Sequence, residues 1–270
     1  MNRSPLLAIF FLPFFLSALL PSCTFAAQLS ALEIMQQVQQ RDTGSSSTAE
    51  VEMILISQNG SRRVRQLKLF SKTYELFTSR SIYFQAPADV HGTAFLIRDY
   101  KAADQEDEQW LYLPALRKTK RISTSDKGGA FMGSDLNYAD MGSDSLDEST
   151  YTLVKEDMVD GHPVWVIEAR PTTEGYALKK GYTKSLLLIR KDNYVIVRSV
   201  NWLLNSTRMR YMNVMELEEI DTIWSPTMVR IWTTENRTTI HQTLLQTRNL
   251  RFNVDLSDDL FSLRQLETGY

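Results

Sequence analysis

The side chains able to do chemistry in this chain are scattered. Its three histidines, His91, His162 and His241, stand far apart, without the spacing that lets two of them share a metal ion. His91 and His162 lie beside glycine or proline in turn-like sequence and His241 falls in a strand-like run, so a structural role is the stronger reading for each. Neither Gly-x-Ser-x-Gly nor Ser-x-x-Lys occurs, which leaves no recognisable hydrolytic nucleophile. The carboxylates gathered at 104–108 and 144–148 read as solvated charge in loops. Gly128-Gly129-Ala130-Phe131-Met132-Gly133 has neither the spacing of a dinucleotide loop nor a strand-to-helix crossover around it. No enzyme, metal or cofactor is expected.

One cluster could meet a ligand without catalysing anything. Arg117, Lys118, Lys120 and Arg121 could contact an anionic head group or a membrane surface, where each cation contributes about 1 kcal/mol. Alternation with Leu116 and Ile122 fits an ordinary solvent-facing strand as well. Nucleic acid is not an expected partner, because 30 Lys+Arg against 32 Asp+Glu gives a net charge of −2 and no global basic field.

The elements that position these residues are mostly strands. Arg3, an apolar run over 6–20 and small residues at 24–26 have the pattern of a secretory signal peptide over residues 1–26, which implies export from the cytoplasm. A competing reading makes Cys23, in Leu20-Pro21-Ser22-Cys23, the acylated residue of a lipobox, although Pro21 fits that pattern poorly. Cys23 is the single cysteine, so a chain cleaved after Ala26 has no disulfide or thiol chemistry. Residues 27–270 are read as one domain.

Leu29, Leu32, Ile34, Met35 and Val38 recur at helical spacing behind a Ser30/Glu33 capping box. From Thr48 onward the period becomes that of strands, with Asn59-Gly60 as a hairpin turn and about eleven or twelve strands in all. They imply one continuous antiparallel sheet curled into a barrel or half-barrel, followed by a short helix over 257–263. Runs such as Met53-Ile54-Leu55-Ile56, and residues 186–189, are apolar on both faces, so something should cover both sides. The first helix, the 128–141 segment and the terminal helix are the candidate covers.

Three stretches carry a resemblance: Trp110-Leu111-Tyr112-Leu113-Pro114-Ala115-Leu116-Arg117-Lys118, then Met132-Gly133-Ser134-Asp135-Leu136-Asn137-Tyr138-Ala139-Asp140-Met141, and Leu256-Ser257-Asp258-Asp259-Leu260-Phe261. They resemble bacterial periplasmic outer membrane lipoprotein-sorting proteins, relatives of the LolA/LolB lipoprotein carriers. The resemblance implies a mainly β fold: an unclosed antiparallel β-barrel of about eleven strands, with helices covering its concave face over an apolar cavity. It also implies a periplasmic carrier that binds the acyl chains of lipoproteins or free lipid, with transient membrane contact and a possible RND/MMPL-type exporter as partner.

On that implication the concave face, with residues among Phe70, Phe84, Phe95, Ile97, Trp110, Tyr112, Trp202 and Tyr211, holds acyl chains, and Phe131 and Met132 belong to a movable lid. The choice of face depends on register, since a slip of one residue exchanges the two sides of a strand. The alternative is an adaptor that binds a transporter or lipoprotein through its surface, its cavity being only a core. An integral outer-membrane barrel is disfavoured, because the chain ends in helix and loop sequence and not in an alternating strand.

Overall fold

The computed structural model describes residues 29–102 and 105–270. The expected signal peptide and Cys23 lie outside the described residues. Helix α1 (Ala31–Gln40) opens with the expected capping box: the Ser30 side chain accepts from the Glu33 backbone, and Glu33 accepts from the Ser30 N–H at 2.7 Å. Its apolar stripe, with Ile34 fully buried, packs against Trp165, Ile167 and Ile189. Burying such a side chain contributes about 1.5–3 kcal/mol, which outweighs the modest propensity of a ten-residue helix.

Six strands follow: β1 (Ser46–Ser57), β2 (Arg62–Thr73), β3 (Phe77–Ala86), β4 (Ala94–Tyr100), β5 (Glu108–Leu113) and β6 (Lys118–Arg121). After a long connection come β7 (Ser149–Val159), β8 (His162–Pro171), α2 (Glu174–Lys180), β9 (Tyr182–Arg190), β10 (Ile196–Leu203), β11 (Met209–Ile220), β12 (Ile223–Glu235), β13 (Thr238–Phe252) and α3 (Leu263–Thr268). All thirteen strands form one antiparallel sheet in the order 6-5-4-3-2-1-13-12-11-10-9-8-7. The strand beyond the expected count is β6, the basic run itself.

The strand order explains the connection. First and last strands pair in the middle, Met53 opposite Leu245, so the two halves of the meander run outward to the edge strands β6 and β7. Residues 122–148 must therefore travel from one edge of the sheet to the other. No ladder joins β6 to β7 among the described residues, so the sheet stays unclosed. The connection touches β2, β3, β4, β9, β11, β12 and β13 through contacts given below, which requires the sheet to curl around it. The side facing it is the inner face.

Two elements depart from the sequence reading. Helix α2 was not anticipated, although Thr173 caps it by accepting from the Tyr176 N–H, and Gly181, at φ +73°, ends it. The terminal helix begins later than expected, at Leu263, after a 3₁₀ turn over Asp258–Phe261. It also covers the outer face and not the concave one, packing Phe261 and Leu266 on Phe70, Tyr83 and Leu96. The Ser81 and Tyr83 hydroxyls donate to the Leu260 carbonyl at 2.7 and 3.0 Å and hold it there.

The two-faced apolar runs divide accordingly. In β4, Phe95 and Ile97 are buried on the inner face and Ala94 and Leu96 on the outer one, because both sides are covered. In β1, Met53 and Leu55 are buried, whereas Ile54 and Ile56 stay half-exposed. Leu186 and Leu188 are half-exposed as well. Both sides are covered near β3 and β4 and again in β8, where Val164, Trp165, Val166 and Ile167 are all buried, and not along β1 or at Leu186 and Leu188.

Candidate functional site

The connection enters the curl at Gly128. A Cβ there would stand 2.7 Å from the Leu178 carbonyl oxygen, so glycine is required for the backbone to reach the end of α2. Ala130 and Asn137 form a β-bridge, and the Phe131 N–H donates to the Leu136 carbonyl at 2.7 Å, which folds residues 130–137 into a compact loop. At its tip Met132 and Gly133 are left-handed, with φ of +51° and +73°. For methionine this conformation costs about 1–2 kcal/mol, so the surroundings must hold it.

What it presents to the sheet is an aromatic plug. Phe131 is 1% exposed, with ring centroids 5.1 Å from Phe95, 5.6 Å from Tyr138 and 6.3 Å from Phe84. Beneath it lies an apolar floor from the inner faces of β1 to β5, including Met53, Leu55, Leu67, Ile97 and Leu111.

Polar latches surround the plug. Asp135 is buried; its carboxylate accepts from the Thr233 and Thr243 hydroxyls at 2.6 and 2.7 Å and from His241 Nδ1 at 2.7 Å. An ionised carboxylate only accepts, so Nδ1 carries the proton toward it. Nε2 of the same ring is buried without a partner among the described residues. The Arg65 guanidinium donates to the Met132 carbonyl and that of Arg80 to the Met141 carbonyl. Farther along, Asp140 accepts from Tyr182 at 2.6 Å, Arg210 at 2.9 Å and the Asn137 N–H at 2.7 Å. Before the plug, the fully buried Lys127 ammonium donates to Asp107 Oδ1 at 2.7 Å and to the Asp107 carbonyl at 2.8 Å.

Next to the Asp140 latch, between α1, α2 and the inner faces of β7 to β11, lies a cavity of about 190 Å³. Its wall is divided: Met35, Leu187, Ile196 and Met212 are apolar, while Tyr151, Tyr176, Lys180, Ser185 and Asn201 are polar. Burial pushes the Tyr151 phenol up to about 12, and it raises Tyr176 and Tyr182 further, aided by Asp144 at the first and Asp140 at the second. Burial alone would lower the Lys180 ammonium, but the Coulombic pull of Asp144 and Asp140 outweighs it and leaves the pKa raised.

The structure separates the residues nominated from sequence. Phe84, Phe95 and Ile97 meet on the inner face under Phe131. Phe70, Trp110 and Tyr112 sit on the outer face under the C-terminal segment. Tyr211 is also on the outer face, stacked on Trp232 at 5.1 Å, with Trp202 on the same side under the Lys184 ammonium. These five were assigned by residue type, and the alternation of each strand turns them away from the cavity. Met132 packs against the plug's cluster as a half-buried neighbour. The four basic residues are exposed on and beside the edge strand; Arg121 pairs with Glu108 at 2.9 Å and Lys120 with Asp126 at 3.6 Å.

Sequence reasoning missed the latches. Asp135, Asn137 and Asp140 lie in the stretch that carried the resemblance, yet nothing in one sequence pairs them with His241, Lys180 or Arg210. An Asn-x-x-Asp capping box at 137 and 140 was legible. Of the two acidic loops read as solvated, the first turns Asp107 inward onto Lys127, while in the second Asp144 stays exposed and pairs with Lys180.

Comparison with known proteins places this geometry. No curated protein matches the chain. Residues 78–268 match the model of a family described as an uncharacterized protein. A DUF1329 family protein from Desulfovibrio piger is 30% identical, with a TM-score of 0.77 over 87% of this chain and 97% of that one. This chain belongs to the DUF1329 family. A Vibrio parahaemolyticus domain named for outer membrane lipoprotein sorting is 31% identical, with a TM-score of 0.76 over 88% and 98% of the two chains. A LolA superfamily protein from Nitrosomonas europaea, 15% identical with a TM-score of 0.66 over 88% and 99%, shares the fold. The DUF1329 chain thus has the unclosed, mainly β architecture of the LolA superfamily, with thirteen strands where about eleven were expected. No described helix is long and apolar enough to cross a membrane.

Proposed function

We propose that this DUF1329 protein is a periplasmic carrier, without catalytic activity, that takes acyl chains of lipoproteins or other lipids onto the inner face now filled by the plug. The observation that carries the reading is Phe131, a buried side chain from a connecting loop seated on a floor built from Phe84, Phe95, Ile97 and their neighbours. Such a floor has the composition of a lipid site, and each methylene withdrawn from water is worth about 0.8 kcal/mol. The open volume beside the plug, about 190 Å³, is smaller than the roughly 300–1,000 Å³ of ordinary ligand pockets, so chains enter only as the plug leaves. In this reading the plug is a competitive occupant, and loading shifts the balance between a closed and an open conformation. Arg117 and Lys118 would meet anionic head groups during transient membrane contact, Lys120 and Arg121 contributing less because acids already pair with them. An RND/MMPL-type exporter is the partner this reading assigns for handover.

The test is lipid extraction and mass spectrometry of protein purified without detergent, followed by uptake of a labelled fatty acid. Co-purified lipid or saturable uptake is expected; protein that is reproducibly empty and takes up nothing overturns the reading.

A second reading, the surface adaptor, draws on how firmly the plug is latched by Asp135, Asp140 and Arg65. Phe131→Asp separates the two: it expels the competing occupant, so a carrier takes up lipid more tightly, whereas an adaptor keeps its partner and binds no lipid.

A further inference from the structure

The divided cavity beside the plug has features that an acyl-chain site does not need. The Lys180 ammonium, the one cation on its wall, is paired to Asp144, and the Asp140 carboxylate is paired to Arg210, which is not part of the lining. No unpaired charge is left on the wall to attract an ion. What the wall offers a guest is neutral: the Tyr151 hydroxyl, the Ser185 hydroxyl and the Asn201 amide. Facing them are Leu187, Ile196 and Met212.

Size and position narrow the guest. At about 190 Å³ the cavity lies below the roughly 300–1,000 Å³ of pockets that take drug-sized ligands, which suits a small head and not a whole acyl chain. Asp140 belongs both to this wall and to the end of the plug segment, so the cavity adjoins the segment that Phe131 anchors. A head seated here would hold its lipid next to the plug.

We propose that this cavity is the seat of an uncharged, hydroxyl-bearing head group, glyceryl or sugar-like, on the lipid the protein carries. The proposal rests on the carrier reading and adds to it a preference among lipids. A neutral hydroxyl both donates and accepts, and so can satisfy Tyr151, Ser185 and Asn201 without disturbing the ion pairs. A carboxylate only accepts, and it would enter a site whose one lining cation, Lys180, is already matched by Asp144, leaving a charge without a counterion.

The test is competitive displacement of a fluorescent fatty probe from the detergent-free mature protein by 1-oleoylglycerol and by oleate, which share a chain and differ in the head. 1-Oleoylglycerol should bind about tenfold more tightly, a difference of about 1.4 kcal/mol. Ser185→Val and Asn201→Leu should each bring the two ligands within about threefold by weakening 1-oleoylglycerol, with oleate little changed. Equal binding of the two by the wild type, a preference for oleate, or an unchanged ratio in both variants overturns the head-group assignment and leaves the carrier reading standing. If neither ligand displaces the probe and the probe itself does not bind, the carrier reading fails and the assignment with it.

Discussion

Phe131→Ala links two quantities that a static core residue would not link. The side chain is 1% exposed and touches three aromatic rings, so its truncation should raise the free energy of the plugged state by about 3–5 kcal/mol. If the plug leaves when lipid binds, Phe131 has lost those contacts both in the open, loaded protein and in the unfolded chain. The mutation then penalises the closed state alone. Whatever stability is lost toward unfolding reappears as tighter lipid binding, because lipid no longer competes with so good an occupant. The equality survives even when opening is easy: both changes then stop at the free energy of opening. A loss of about 3 kcal/mol in urea unfolding should accompany a fall in apparent Kd of about 10²-fold for a fluorescent fatty acid. A variant that loses about 3–5 kcal/mol of stability with unchanged lipid affinity would refute the reasoning, and would make Phe131 ordinary core.

Three further outcomes follow from the latches and the buried titratable groups. Asp140→Asn removes the counter-charge of Arg210, whose side chain is 10% exposed, and should cost about 3 kcal/mol in urea melts; Arg210→Met made with it should recover part of the loss. Lys127→Met takes the nearer ammonium from the Asp107 carboxylate, which keeps Lys179 at 3.8 Å and the Gln109 amide at 2.9 Å, and should cost about 1.5–3 kcal/mol in the same melts. The folded pKa values of Tyr151, Tyr176, Tyr182 and Lys180 are raised, so above pH of about 10 the native state holds more protons than the unfolded one. Their stabilisation is therefore complete below about pH 10 and is lost as pH rises toward 12 and beyond; unfolding free energies that stay flat over that range, with phenolate absorbance rising fully near pH 10, would contradict it.

The β-meander, its hairpin at Asn59-Gly60 and the capped α1 were all legible, because alternation, turn chemistry and caps are local signals. The order of the strands was not. That β1 pairs with β13 and leaves β6 and β7 as edges depends on long-range contacts, and it is what makes residues 122–148 a plug and not merely a long loop. The face of each aromatic was equally hidden, as Phe70 and Phe84 lie on adjacent strands and point to opposite sides. The latches were the least visible, since Asp135 and His241 are 106 residues apart and neither carries a motif that names the other. Gly128 permits a close backbone contact that ties the plug segment down.

The central claim is that lipid takes the place of the plug. Amide hydrogen exchange reads this directly, because the plug's N–H groups have named acceptors: Phe131 on the Leu136 carbonyl, Asp135 on the Thr243 hydroxyl and Ala139 on the Lys127 carbonyl. With lipid bound, exchange at these amides should accelerate while the ladders of β1 to β5 keep their protection. Lipid that binds while residues 131–139 remain fully protected would contradict the account.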